Sequence, residues 1–148
     1  MKLYLVQHAK PKPEEEDPEK PLSDKGKADA SKISQFIKNI QVSKVYHSGK
    51  LRAKQTADIL AKSLNVDGTK TEDLEPMADP SIWADKLEKI NDDVMLVGHL
   101  PHLNKLASLL LCKDSGKNII VFQQGGVVCL EKTEEWSIKW MVAPDLLP

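Results

Sequence analysis

The sequence contains no apolar run long enough to cross a membrane. Its first such run, residues 3–6, gives way almost at once to charged, proline-rich chain, and its length and flanks do not suit a secretory signal. There are only 2 cysteines, Cys112 and Cys129, at a separation that fits neither a metal pair nor a redox pair. They read as reduced, buried thiols of a cytoplasmic protein. Neither sign of charge prevails, with 21 Lys and Arg against 22 Asp and Glu. That balance removes the bulk argument for a nucleic-acid or membrane partner. Internal repeats and linker-like stretches are also missing. What remains is a chain of 148 residues, 41% hydrophobic and 29% charged, which suits one domain over residues 1–148 with one core.

The chain opens with Lys2-Leu3-Tyr4-Leu5-Val6-Gln7-His8-Ala9. A nearly unbroken apolar run of this length predicts a strand buried on both faces of a sheet. It ends at Gln7-His8, and Lys10-Pro11-Lys12-Pro13 forbids its continuation. A histidine therefore stands at the carboxyl end of a central strand, where open α/β sheets bind ligands.

Residues 10–21 form a loop rich in Pro, Glu and Lys, whose acidic middle reads as solvated surface. Ser23 then suits the N-cap of a helix whose inner stripe is Ala30, Ile33, Ile37 and Ile40, with Phe36 beside it. Residues 42–47 predict a second strand, and a second helix begins at Leu51-Arg52 with Leu60, Ala61 and Leu64 facing inward. Arg52 in the first turn of a helix after a strand is either part of an anion site or an ordinary surface charge. A short extended segment follows over residues 69–73, then a helix over 81–90 carrying Ile82, Trp83, Leu87 and Ile90. Among the strand-end carboxylates Asp73, Glu75 and Asp79, one is a candidate general acid.

Residues 93–97 read as the second clear buried strand, ending in Gly98-His99-Leu100-Pro101-His102 before a helix through Leu103, Leu106, Ala107, Leu110 and Leu111. Residues 119–122, 127–130 and 136–141 predict strands, the last two a hairpin. Gly125-Gly126 suits either close approach of backbone amides to a ligand or a tight turn. The alternation of strands and helices predicts a three-layer α/β/α sandwich with a mostly parallel sheet.

Two histidines just past buried strands, with an arginine after a third, suggest one pocket. Zinc is a poor fit: H-E-x-x-H is absent, and His99 and His102 flank a proline rather than sharing a helix face. A serine hydrolase fares no better, because no G-x-S-x-G occurs and Ser48 lacks a nucleophile-elbow context. Phosphoryl chemistry fits: neutral imidazole attacks phosphorus, and Arg52 offers a fork for two phosphoryl oxygens.

Four segments occur in the order seen in the histidine phosphatase superfamily. They are Leu5-Val6-Gln7-His8-Ala9, Pro21-Leu22-Ser23-x-x-Gly26, Ser48-x-x-Leu51-Arg52-Ala53-x-Gln55-Thr56 and Val97-Gly98-His99-Leu100-Pro101. The sequence resembles that phosphoglycerate mutase-like family, and most of all its SixA-type phosphohistidine phosphatase branch, from residue 3 to about 130. The resemblance implies that His8 attacks phosphorus and becomes a transient phosphohistidine, with Arg52 and His99 holding the phosphoryl group. It implies substrate or phosphate contacts for Gln7, Lys20 and Ser48, and a general acid at Asp73 or, failing that, Glu75. Neither a metal nor another cofactor is implied. The absence of the helical insert of larger members implies an open pocket, suited to a phosphorylated protein such as a histidine phosphotransfer domain, and speaks against mutase activity. A small phosphate ester is the alternative substrate. The family's first motif is normally Arg-His-Gly, whereas this chain has Gln7-His8-Ala9. Gln7 lacks the permanent charge and the fork, so a catalytically weak module that binds phosphorylated partners is a further alternative.

Overall fold

The computed structural model describes residues 1–148. The strands are β1 (Lys2–Gln7), β2 (Lys44–His47), β3 (Gly68–Lys70), β4 (Val94–Gly98), β5 (Val127–Lys132) and β6 (Trp136–Val142). The helices are α1 (Asp24–Phe36), α2 (Leu51–Leu64), α3 (Pro80–Glu88) and α4 (His102–Cys112), with a short 3-10 turn at Pro144–Leu146. The six strands form one sheet in the order β3-β2-β4-β1-β5-β6. The β3-β2, β2-β4 and β4-β1 pairs are parallel, and the two pairs made by β5 are antiparallel. Helices cover both faces of the sheet, giving the expected α/β/α sandwich without a helical insert.

Strand alternation sends side chains to two cores. Leu3, Leu5 and Leu96 pack with Trp83 and Leu87 of α3 and Leu103 and Leu106 of α4. Tyr4, Val6, Met95 and Val97 pack with Ile33 of α1 and Ala53, Ala57 and Leu60 of α2. Both faces of β1 and β4 are thus covered, which explains why these strands read as unbroken apolar runs.

Three expectations need correction. Residues 119–122 are not a strand. Ile120 and Phe122 are buried while Ile119 and Val121 are exposed, so the alternation is real. But β1 already has β4 and β5 on its two edges, and the segment pairs with neither outer strand of the sheet, β3 or β6. Cys112 is exposed at the end of α4; only Cys129 is buried, and both are free. Phe36 lies largely outside the core, its ring edge against Trp140.

The loop after β1 is closed by a bridge between Pro11 and Leu22 and by Lys12 N–H donating to Pro21 O at 2.7 Å. Its near end is fastened to the start of α1. Ser23 caps the helix by accepting from Gly26 N–H at 3.0 Å, and its hydroxyl donates to Lys10 O at 2.8 Å. Gly26 is required here by space. A Cβ at this position would fall on the Lys10 carbonyl. Gly26→Ala must therefore push α1 away from the chain leaving β1, and we expect an overpacking cost of about 1–3 kcal/mol. Urea denaturation checks this; an unchanged midpoint would show that the helix start yields freely.

Candidate active site

Strand register brings the predicted residues together. Gln7 of β1 pairs with Gly98 of β4, and His8 N–H donates to Gly98 O at 3.0 Å. His8 and His99 are therefore the next residues beyond adjacent parallel strands, with ring centroids 5.0 Å apart and planes tilted by 51°. On the other side of β4, His47 of β2 pairs with Val97, so Ser48 emerges beside His99. Ser48 Oγ lies 2.6 Å from His99 Nε2 and accepts a longer bond, 3.3 Å, from Lys50 N–H.

His8 is oriented by its own chain. Nδ1 lies 2.8 Å from Ala9 O. A carbonyl only accepts, so Nδ1 carries the proton and the neutral ring keeps its lone pair on Nε2. Ala9 is held in turn: its N–H donates to Thr56 Oγ1 at 3.0 Å, and the Thr56 hydroxyl donates to Arg52 O at 2.8 Å. On the preceding residue of α2, Gln55 Oε1 accepts from Leu22 N–H at 2.7 Å. One helix thus presents Arg52 to the pocket and ties down the two chain segments beside it. Gln55 and Thr56 both stand in the motif that carries Arg52. Their signal is polarity on the inner side of an amphipathic helix, where Thr56 is buried.

Burial makes protonation of these imidazoles costly. His8 is pushed from an ordinary 6.5 down to about 4, chiefly by burial. The Ala9 hydrogen bond works upward, and the positive charges of Arg52 and Lys20 press it further down. His99 is pushed to about 3, again chiefly by burial, then by His8, Arg52, Lys50 and His102. Arg52 is half-buried, and burial lowers its pKa as well. Lys20, in a left-handed conformation at φ 50°, returns its charge toward His8 from the far end of the loop. Lys50, which precedes the second helix, was not anticipated.

The carboxylates are elsewhere. Asp73 lies 3.9 Å from Lys86 of α3, Glu75 is exposed, and both bear on His102 together with Asp79. No carboxylate is among the charges that bear on His8 or His99. Asp79 caps α3, accepting from Ser81 N–H at 2.9 Å. His102 is fully buried with neither ring nitrogen hydrogen-bonded. His, Cys, Asp and Glu side chains nowhere gather in threes suited to a metal ion. Of the two readings of Gly125-Gly126, the tight turn holds. Gly125 N–H donates to Gln7 O at 2.9 Å and Gly126 N–H to Gln123 O at 2.9 Å, so neither amide is free for a ligand.

The family model of the histidine phosphatase superfamily (branch 1) matches residues 3–93, which include His8 and Arg52. The chain belongs to the histidine phosphatase superfamily. Among solved structures, the protein histidine phosphatase SixA complexed with tungstate superposes with TM-score 0.85 at 20% identity, covering 99% of both chains. The alpha-ribazole phosphatase from Shigella flexneri gives TM-score 0.83 at 12% identity, with 97% of both chains covered. A phosphoserine phosphatase mutant from Entamoeba histolytica, in complex with phosphoserine, gives 0.76 at 14%, with 99% of both covered. Comparison with curated protein sequences finds no match. At these identities the structural likeness speaks for the fold. His99 lies beyond the matched residues of the family model, and its place in the site rests on strand register.

The lowered pKa values have a consequence for stability. Below pH 6.5 the unfolded chain protonates both histidines while the folded chain does not, so stability falls as pH drops from 6.5 toward 4 for His8 and toward 3 for His99. In urea denaturation at pH 7 and pH 5, His8→Gln and His99→Gln should each lose less stability between the two pH values than wild type. Equal losses would mean that these rings protonate normally in the fold.

Proposed function

We propose that the protein is a phosphatase in which His8 Nε2 is the nucleophile and the favoured substrate is a phosphohistidine carried on a protein. Nε2 forms a bond to phosphorus as the bond to the leaving group breaks. Water then attacks phosphorus, the Nε2–P bond breaks, and phosphate leaves with His8 again neutral. Arg52, with its planar fork, and Lys20 hold the phosphoryl oxygens, while His99, aligned by Ser48, stabilises the charge that spreads over them. Water enters freely because no insert covers the pocket.

The observation that carries the choice of substrate is that Asp73, the first sequence-based candidate for a proton donor, lies against Lys86 of α3. A phosphomonoester expels an alkoxide and needs a proton donor at that oxygen. A phosphohistidine protonated on its other ring nitrogen expels a neutral imidazole and needs none. The sequence-based candidates for such a donor, Asp73 and Glu75, bear instead on His102. One observation favours a second reading, a phosphate-binding module with weak turnover: Gln7 brings no charge to the position where the family normally has arginine.

Acid-quench trapping separates the two. With a phosphohistidine peptide, label should appear on wild type and vanish in His8→Ala, and hydrolysis should exceed that of an alkyl phosphate. Binding without label or turnover would establish the module. Arg52→Ala should lower kcat by about 10²- to 10³-fold, the loss typical of one preorganised donor; a loss below about tenfold would remove Arg52 from that role. Gln7→Arg should raise kcat if the missing cation limits the rate. No gain would mean that Lys20 and Arg52 already supply enough positive charge.

A further inference from the structure

Beside the two imidazoles lies a cavity of about 620 Å³ that none of the proposed catalytic residues lines. Gln7, the chain neighbour of His8, forms one wall with Lys10, and Leu100, the chain neighbour of His99, forms another. The cavity therefore opens where the group attached to the phosphoryl would lie. Gln123 and Gln124 complete that side, both exposed at the tip of the 123–126 turn.

The turn is fixed relative to His8. Besides its bond to Gln7 O, Gly125 N–H makes a longer one to His8 O at 3.3 Å, and Gly125 adopts φ +76°. A Cβ there would come within 3.2 Å of Pro144 and 3.6 Å of Ala9. Only glycine combines that conformation with that close approach. The two glutamines are thus held at a set distance from the nucleophile.

The lining chemistry selects a ligand class. Lys25 and Asp29 of α1 pair with each other at 2.9 Å, which leaves Lys10 and Asp145 as opposite charges that nearly balance. The cavity wall is therefore neither strongly cationic nor apolar. Its distinctive groups are three carboxamides, those of Gln7, Gln123 and Gln124, and Gln7 Oε1 is buried with no hydrogen-bond partner. A carboxamide offers one acceptor and two donors, the complement of a peptide unit's N–H and C=O. We propose that this cavity binds the main chain flanking the phosphorylated residue, so that Gln123 and Gln124 determine preference for phosphorylated peptides and proteins over small phosphates. This proposal rests on the phosphatase reading and names what its site recognises beyond the phosphoryl group.

The test is a ratio. For wild type and for Gln123→Ala/Gln124→Ala, kcat/KM is measured for a phosphohistidine peptide extended on both sides and for an aryl phosphate. Losing one or two hydrogen bonds should lower the peptide-to-aryl ratio by about 10- to 100-fold. An unchanged ratio overturns the proposal. Calorimetric binding of a peptide carrying a non-hydrolysable phosphohistidine analogue, against the same analogue as a single capped residue, gives a readout that does not need turnover. If wild type turns over neither substrate, the phosphatase reading fails. The cavity proposal then stands only if the extended peptide still binds more tightly than the capped residue and the double variant abolishes that advantage.

Discussion

The hydrogen bond from His8 Nδ1 to the Ala9 carbonyl is the constraint on which the site depends. It decides which ring nitrogen carries the proton, and so which one is left with a lone pair facing the pocket. That bond is only as good as the placement of Ala9, a residue with no polar side chain of its own. The fold holds Ala9 through its amide to Thr56, and the next residue through the Lys10 carbonyl to Ser23. Gly26 permits α1 to come that close. The second, third and first motifs are therefore parts of one clamp around the end of β1, with Arg52 carried on the same helix turn as Thr56.

The site also faces an energetic conflict. A phosphoryl site wants positive charge, whereas a histidine nucleophile must stay neutral. A sheet end with two imidazoles buried side by side resolves this, because burial alone makes their protonation expensive. The cations around them act in the same direction on His8, so the positive charges that would attract a phosphoryl group also keep its ring unprotonated. The cost appears in the fold: each neutral, buried ring weakens the protein as pH falls.

Most of the architecture was legible because β1 and β4 are apolar on both faces, a pattern that only a covered, largely parallel sheet produces. The adjacency of His8 and His99 was inferred from two histidines at strand ends, and the Gln7–Gly98 register makes it concrete. Residues 119–122 misled because alternation reports burial on one side and is silent about whether a sheet edge is free. For Asp73 and Glu75, position near a strand end does not specify direction, and both carboxylates bear on His102, with Asp73 also against Lys86 of α3. Thr56, Gln55 and Lys50 were passed over since their work is done through the backbone or through charge at a distance, and neither leaves a periodic trace in sequence.

Gln7 shows what a single departure from the family motif changes physically. The chief cause of the low His8 pKa is burial, with the neighbouring charges contributing less. A glutamine in place of a guanidinium at the adjacent position therefore leaves His8 neutral at physiological pH, and its Nε2 lone pair is still set by Ala9. What the departure removes is a preorganised cation at the phosphoryl oxygens, an interaction that counts most as the phosphoryl charge spreads during transfer. In the proposed mechanism, ground-state readiness and transition-state stabilisation thus come from different residues, the first from packing and one backbone carbonyl, the second from Arg52 and Lys20. The proposed phosphohistidine substrate, whose leaving group departs as a neutral imidazole, would place the smallest demand on the second set, which is consistent with glutamine at this position.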